Sequence, residues 1–350
     1  MSYVTHNEET HYMLEQLKAV LATGSPTGYT RHAAALVYHA LQALGFAPQY
    51  TNKGGVLVCL SDGEPSERGN GILLEAHLDT LGAMVAQVKD NGRLRVTPLG
   101  GMNANNAETE NVYVVTRDGK VLEGTLQMKN ASVHVNGEYN KTERNWDNLE
   151  VVLDEETRTK EETEKLGVMT GDIVCFDPRT RITSSGYIKS RFLDDKLSVA
   201  ILLGYARHLS QGGKTKRPVH CHITVFEEVG HGGSASFPVG VSEVLSVDMG
   251  CVGEGLACRE TQVSICAKDS GGPYHYDVVS ELIEAAKREN IDFAVDVYPF
   301  YGSDAEAGLR AGHDVRHGLI GSGVYASHGY ERSHVKGMEN TLNLLKAYLG

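Results

Sequence analysis

Met13, Leu14, Leu17, Val20 and Leu21 recur at helical spacing and predict a first helix over 9–23. Ser25-Pro26-Thr27-Gly28 breaks it, and Thr30 is placed to cap a second amphipathic helix ending near Gly45. Residues 56–60 form a short apolar run, and 61–70 read as a polar loop. Residues 71–76 read as a buried strand that delivers His77-Leu78-Asp79-Thr80.

The texture then changes. Short alternating runs at 94–97, 112–115, 124–127 and 151–153 are separated by turn signals such as Asn91-Gly92, Asp118-Gly119 and Asn136-Gly137. Long helical periodicity is missing here, apart from an acidic stretch at 161–166. The pattern predicts a small, barrel-like β-domain over 86–176, inserted into a discontinuous α/β domain of 1–85 and 177–350. Helices are expected at 195–209, 276–288 and 338–349, and a short one opens at Gly302-Ser303-Asp304. Strands are expected at 219–226, 244–247, 293–297 and 319–325.

Composition narrows the partners. The net charge of −12 argues against nucleic acid and anionic membranes. No apolar run approaches the roughly 20 residues of a membrane span, and the polar start carries no signal-peptide pattern. Six scattered cysteines without a CxxC fit a reducing, cytoplasmic setting.

Polar residues collect at element ends, where α/β folds build sites. His77 and Asp79 follow one expected strand, Glu227 and Glu228 a second, Asp248 a third and His328 a fourth. Asp194 and Asp195 precede a helix. Taken singly, each has an ordinary structural reading: a hydrogen-bonded histidine, an N-cap, a solvated pair or a turn residue. Taken together, two imidazoles and several carboxylates suit zinc, cobalt or manganese better than calcium. Of the adjacent Glu227 and Glu228, one would hold a metal and the other would handle protons. Asp79, two residues beyond His77, is placed to accept the second imidazole N–H.

Ala76-His77-Leu78-Asp79, Phe192-Leu193-Asp194-Asp195-Lys196, Glu227-Glu228-Val229-Gly230 and Val247-Asp248 occur in the order found in the glutamyl-aminopeptidase family, which includes tetrahedral aminopeptidases. Leu166-Gly167-Val168, Gly171-Asp172 and Gly302-Ser303-Asp304-Ala305 are similar to further elements of that family, so the resemblance spans essentially the whole chain. It implies a mixed-sheet, phosphorylase/hydrolase-like α/β catalytic domain with an inserted small β-domain. It implies two divalent metal ions, zinc first, with cobalt or manganese as alternatives. Asp194 would bridge them. His77 and Asp248 would complete one site, and Glu228 and His328 the other. A metal-bridging hydroxide would attack the scissile carbonyl, with Glu227 as general base and Asp79 behind His77. It also implies a homo-oligomer, in some relatives a dodecamer.

Three departures stand out. Thr80 occupies a position where the family commonly has Glu. The last histidine lacks its usual Arg-Tyr context, leaving His328 and His334 as alternatives, with His328 directly after the strand. The segment from Ser327 to His334 resembles a divergent bacterial branch associated with an N-acetylated glutamine-dipeptide osmoprotectant.

Two substrate readings therefore stand. An aminopeptidase acting on short peptides needs a free carboxylate for the amino group, with Asp304 or Glu306 as candidates. A deacylase or carboxypeptidase acting on an acylated amino acid or acylated dipeptide needs a cation, with Arg191, Lys196 or Arg332 as candidates. A third reading is a non-catalytic binding protein on the same scaffold.

Overall fold

The computed structural model describes residues 7–61 and 69–350. Most of the expected 61–70 loop, and the first six residues of the start read for a signal peptide, lie outside these. The expected helices appear as Glu8–Ala22, Arg31–Ala43, Leu193–Ser210, Tyr276–Arg288, Asp304–Arg310 and Val335–Leu349. Thr30 stands at the N-cap of the second helix, but its side chain makes no capping hydrogen bond. Its backbone is already helical (φ −107°, ψ −4°), whereas a capping side chain needs an extended residue behind it.

A mixed 12-stranded sheet carries the larger part of the chain. At its centre four strands run parallel, in the order Val219–Thr224, Gly71–His77, Val241–Val247 and Arg316–Tyr325. Gly71–His77 is buried along its whole length, which explains its nearly continuous apolar composition. Antiparallel strands flank this centre, among them Val56–Cys59 and Glu331–His334. The Leu193–Ser210 helix is buried over most of its surface and packs against the sheet and the first helix.

Parallel pairing puts the carboxyl ends of all four central strands on one edge. Thr224 pairs in register with His77, and Val247 with Ile320. His77, the Glu227-Glu228 turn, Asp248 and His328 all follow from that edge. Their meeting is thus a consequence of strand direction, as expected of ligand sites in open α/β sheets.

Six further strands close into a small antiparallel barrel: Gly82–Val88, Leu94–Leu99, Leu149–Leu153, Val121–Met128, Asn111–Val115 and Ile173–Phe176. The first starts at Gly82, ahead of residue 86. Alternation along Leu94–Leu99 and Val121–Met128 points every second side chain into the barrel.

Candidate active site

Asp194 lies at the centre of the cluster. Its Oδ1 is 3.1 Å from His77 Nε2, and its Oδ2 is 3.5 Å from His328 Nε2. One carboxylate therefore faces both imidazoles, one oxygen to each. Glu228 Oε2 is 3.6 Å from the same His328 nitrogen. Potential ligand atoms of His77, Asp194 and Glu228 lie within 4.8 Å of one another, as do those of His77, Asp195 and Asp248. Glu227 Oε2 stands 3.8 Å from His77 Nε2.

The local backbone is unusual at each approach. Phe192, Phe226 and His328 have left-handed φ of 67°, 74° and 61°. Such conformations cost energy in non-glycine residues and collect at functional sites. Asp194 and Asp195, joined by a cis peptide, have non-helical dihedrals, so the regular helix begins beyond them. This frees the Asp195 carboxylate to accept the His77 backbone N–H at 3.2 Å.

Electrostatics set the character of the site. Burial and the Asp194 charge push Glu228 up to about 8, and burial and Asp194 push Asp248 up to about 7. Burial also raises Glu227 well above the usual carboxylate range, reinforced by Asp304, Asp248 and Glu228. The hydrogen bond to Asp194 raises His328 to about 10. Crowded carboxylates thus hold protons wherever no other cation neutralises them. Glu228 Oε1 and Asp195 Oδ1 are buried without a hydrogen-bond partner among the described residues. Two imidazoles, several carboxylates and orphaned oxygens fit divalent cations, whose binding releases those protons.

Asp79 behaves differently from expectation. His77 Nδ1 faces the backbone carbonyl of Asp79 at 2.9 Å, while the carboxylate stays 3.8 Å away. That carboxylate instead accepts the Glu227 N–H at 3.1 Å and the Thr27 hydroxyl at 2.6 Å. The backbone carbonyl, not the side chain, therefore meets the ring. Of the two late histidines, only His328 faces the cluster. His334 caps the last helix by accepting the Lys336 N–H at 3.0 Å, and its other nitrogen faces the Ser185 carbonyl.

Sequence reasoning missed three supports. Glu331 accepts the backbone N–H groups of Asp194 and His328, each at 3.0 Å. Gly101, between the barrel and the next short helix, places its carbonyl 3.4 Å from His328 Nδ1. Thr27 holds Asp79. The Ser-Pro-Thr-Gly break was visible as a turn, but no local pattern marks Glu331 or Gly101.

The model of the M42 glutamyl aminopeptidase family matches residues 54–344. The chain belongs to that family. It is 42% identical over 338 residues to the putative aminopeptidase YhfE of Bacillus subtilis, covering 96% of both chains. It is 25% identical over 224 residues to a glutamyl aminopeptidase of Lactococcus lactis, covering 62% of this chain and 60% of that one. Among solved structures, an aminopeptidase of the archaeon Desulfurococcus kamchatkensis superposes with a TM-score of 0.86 at 24% identity, covering 98% and 95%. The TET1 peptidase of Pyrococcus horikoshii, which assembles into a tetrahedron or an octahedral shell, gives 0.83 at 23%, covering 96% and 98%. These two likenesses bear on the fold, and it is the α/β architecture with a small β-domain that the sequence predicts. Membership of this aminopeptidase family makes the chain a metal-dependent peptidase.

Proposed function

We propose that this aminopeptidase cleaves the amide bond next to the free amino end of short peptides, using Glu227 as general base. The observation that carries this is Asp194 divided between His77 and His328, with Glu227 beside them. His77 and Asp248 would hold one divalent cation, Glu228 and His328 a second, and Asp194 both. Zinc is the first choice, with cobalt or manganese as alternatives. When bound, the cations supply Lewis acidity toward the scissile carbonyl.

The chain's own residues do the rest. Glu227 accepts a proton from the attacking water and returns it to the leaving amine. Asp79 orients Glu227 through its backbone N–H and orients His77 through its own carbonyl. The excess of carboxylates attracts a protonated amino terminus, although neither proposed acceptor is free. Asp304 is engaged by Thr224 and Gly233, and Glu306 by Arg310.

The deacylase or carboxypeptidase reading needs an uncommitted cation. Arg191 is paired with buried Glu110, Lys196 donates to the Thr23 carbonyl, and Arg332 is paired with Glu260 over the Tyr187 ring. Arg332 and Lys196 are engaged, and Arg191 keeps only its buried Nη1 without a partner among the described residues, while the Glu110 carboxylate already balances its charge, so an acylated dipeptide is not the favoured substrate.

We place the protein in the cytoplasm, in keeping with six free cysteines. No helix among the described residues is long and apolar enough to cross a membrane. The TET1 relative's assembly supports a homo-oligomer, and a dodecamer is the specific expectation.

The deciding experiment measures metal content alongside turnover of free-amino peptides and their N-acetylated counterparts. About two metals per chain with cleavage only of free-amino peptides is the expected result. Cleavage only of acetylated substrates overturns the reading in favour of a deacylase. No metal and no turnover after adding zinc, cobalt or manganese leaves a binding protein.

A further inference from the structure

A lysine outside every motif holds the far end of the glutamate turn. Lys53 lies in the turn before Val56–Cys59, where the Gly54 N–H bonds the Thr51 carbonyl. Its Nζ donates to the backbone carbonyls of His231 and Gly232 and, at 3.2 Å, to Ser234 Oγ. Asp304 holds the next residue of the same stretch. Its Oδ1 accepts the Gly233 N–H at 2.6 Å, and its Oδ2 accepts the Thr224 hydroxyl. A cation therefore takes two successive carbonyls while a carboxylate takes the N–H that follows them.

Close approach makes this clamp specific. A Cβ on Gly232 would lie 2.3 Å from Asp304 Oδ1, and one on Gly233 would lie 2.4 Å from the Asp304 carbonyl oxygen. The near end of the turn is set by Asp79, which takes the Glu227 N–H. In between, Gly230 N–H bonds the Glu227 carbonyl, and His231 stacks on Phe226 with centroids 5.3 Å apart. Glycines at 230, 232 and 233 give this segment large conformational freedom in the absence of restraints. A general base must be held within about half an ångström of its working position.

We propose that Lys53 is a positioning residue for Glu227, acting through residues 226–235 by restraining their far end. The inference rests on the reading of Glu227 as general base. It predicts an effect on the rate of the chemical step rather than on substrate or metal binding.

The test uses the full chain loaded with its divalent metal, in wild-type, K53M and K53R forms. Steady-state kinetics on a free-amino peptide, metal content, and amide hydrogen exchange over 226–235 are measured together. K53M should lower kcat by about 10- to 100-fold, the cost of misplacing a catalytic group by roughly an ångström. KM and metal content should stay near wild type, and the Gly230, His231 and Gly233 amides should exchange faster. K53R should recover most of the rate, because a guanidinium also donates to two carbonyls. In an E227Q background, K53M should cause little further loss, as for residues acting as one unit.

Wild-type kcat in K53M overturns the proposal. So does a rate loss with unchanged exchange, or one that persists undiminished in E227Q. If K53M does not fold, K53Q is read by the same criteria. If the wild-type protein cleaves no peptide, the aminopeptidase reading fails by itself, and unchanged exchange in K53M separately overturns the clamp.

Discussion

At the residue scale, the two imidazoles are not equivalent. The His77 side chain is 2% exposed and the His328 side chain 40%, so the site opens toward solvent on the His328 side. Glu227→Gln should leave metal content unchanged and lower kcat by about 10²- to 10⁴-fold, the usual share of a general base; full activity in that variant removes Glu227 from the mechanism. Glu331→Gln can accept only one of the two N–H groups from Asp194 and His328. It should weaken metal affinity by about 10- to 100-fold, as loss of an outer hydrogen-bond partner does, read by competition with a chelating dye. His334→Ala should keep its metals and its rate while losing about 1 kcal/mol of stability with the helix cap, measured by denaturant unfolding. His334 looked comparable to His328 in the sequence because both follow the same strand region. Their separation comes from Glu331–His334 turning back to pair with Tyr187–Ser190, which carries His334 away from the cluster.

At the element scale, strand direction and short connections do the assembling. The four parallel strands were legible from their apolar runs, and so were most helices, since local periodicity determines both. The contribution of the barrel was not. Its Gly100-Gly101 connection lies against both Glu228 and His328, and a Cβ on Gly101 would come within 2.9 Å of His328 Nδ1. The Asp304–Arg310 helix supplies a separate pH-sensitive contact. Burial, with Asp269 alongside, raises Glu306 to about 7. A carboxyl whose folded pKa lies above its unfolded value favours the folded state at low pH. That contribution is lost as pH rises from about 4.5 through about 7. Glu306→Gln should therefore raise the melting temperature at pH 8 and change it little at pH 5. A scan at the two pH values checks this, with about 1 kcal/mol expected at the higher one once solvent screening and the lost Arg310 pair are discounted.

At the scale of the whole molecule, the carboxylate–histidine cluster is a charge problem for the fold. Asp194, Asp195, Glu227, Glu228 and Asp248 converge with little access to water, and repulsion among them disfavours the folded chain unless cations or protons intervene. Chelation at pH 8 should lower the melting temperature, and adding back zinc, cobalt or manganese should restore it. Each site held at 100 times its dissociation constant contributes about 2.7 kcal/mol. Equal melting curves with and without chelator would argue that the cluster holds no tightly bound ion. Light scattering addresses assembly: a mass near one chain rules out the proposed oligomer.

The sequence by itself determined the elements, the element ends at which the polar residues stand and, through ordered motifs, the family. These are properties of neighbouring residues or of motif order, so they are present in the unfolded chain. Only the tertiary structure decided how the polar groups are used. It divided Asp194 between two histidines and gave the His77 ring the Asp79 carbonyl rather than its carboxylate. It committed Arg191, Lys196 and Arg332 to other partners, and it brought Lys53 and Glu331 to backbone groups near the site. Lys53 meets its carbonyls across 178 and 179 positions, and Glu331 meets Asp194 across 137. A hydrogen bond depends on distance and direction in space, and at such separations only the folded chain determines either.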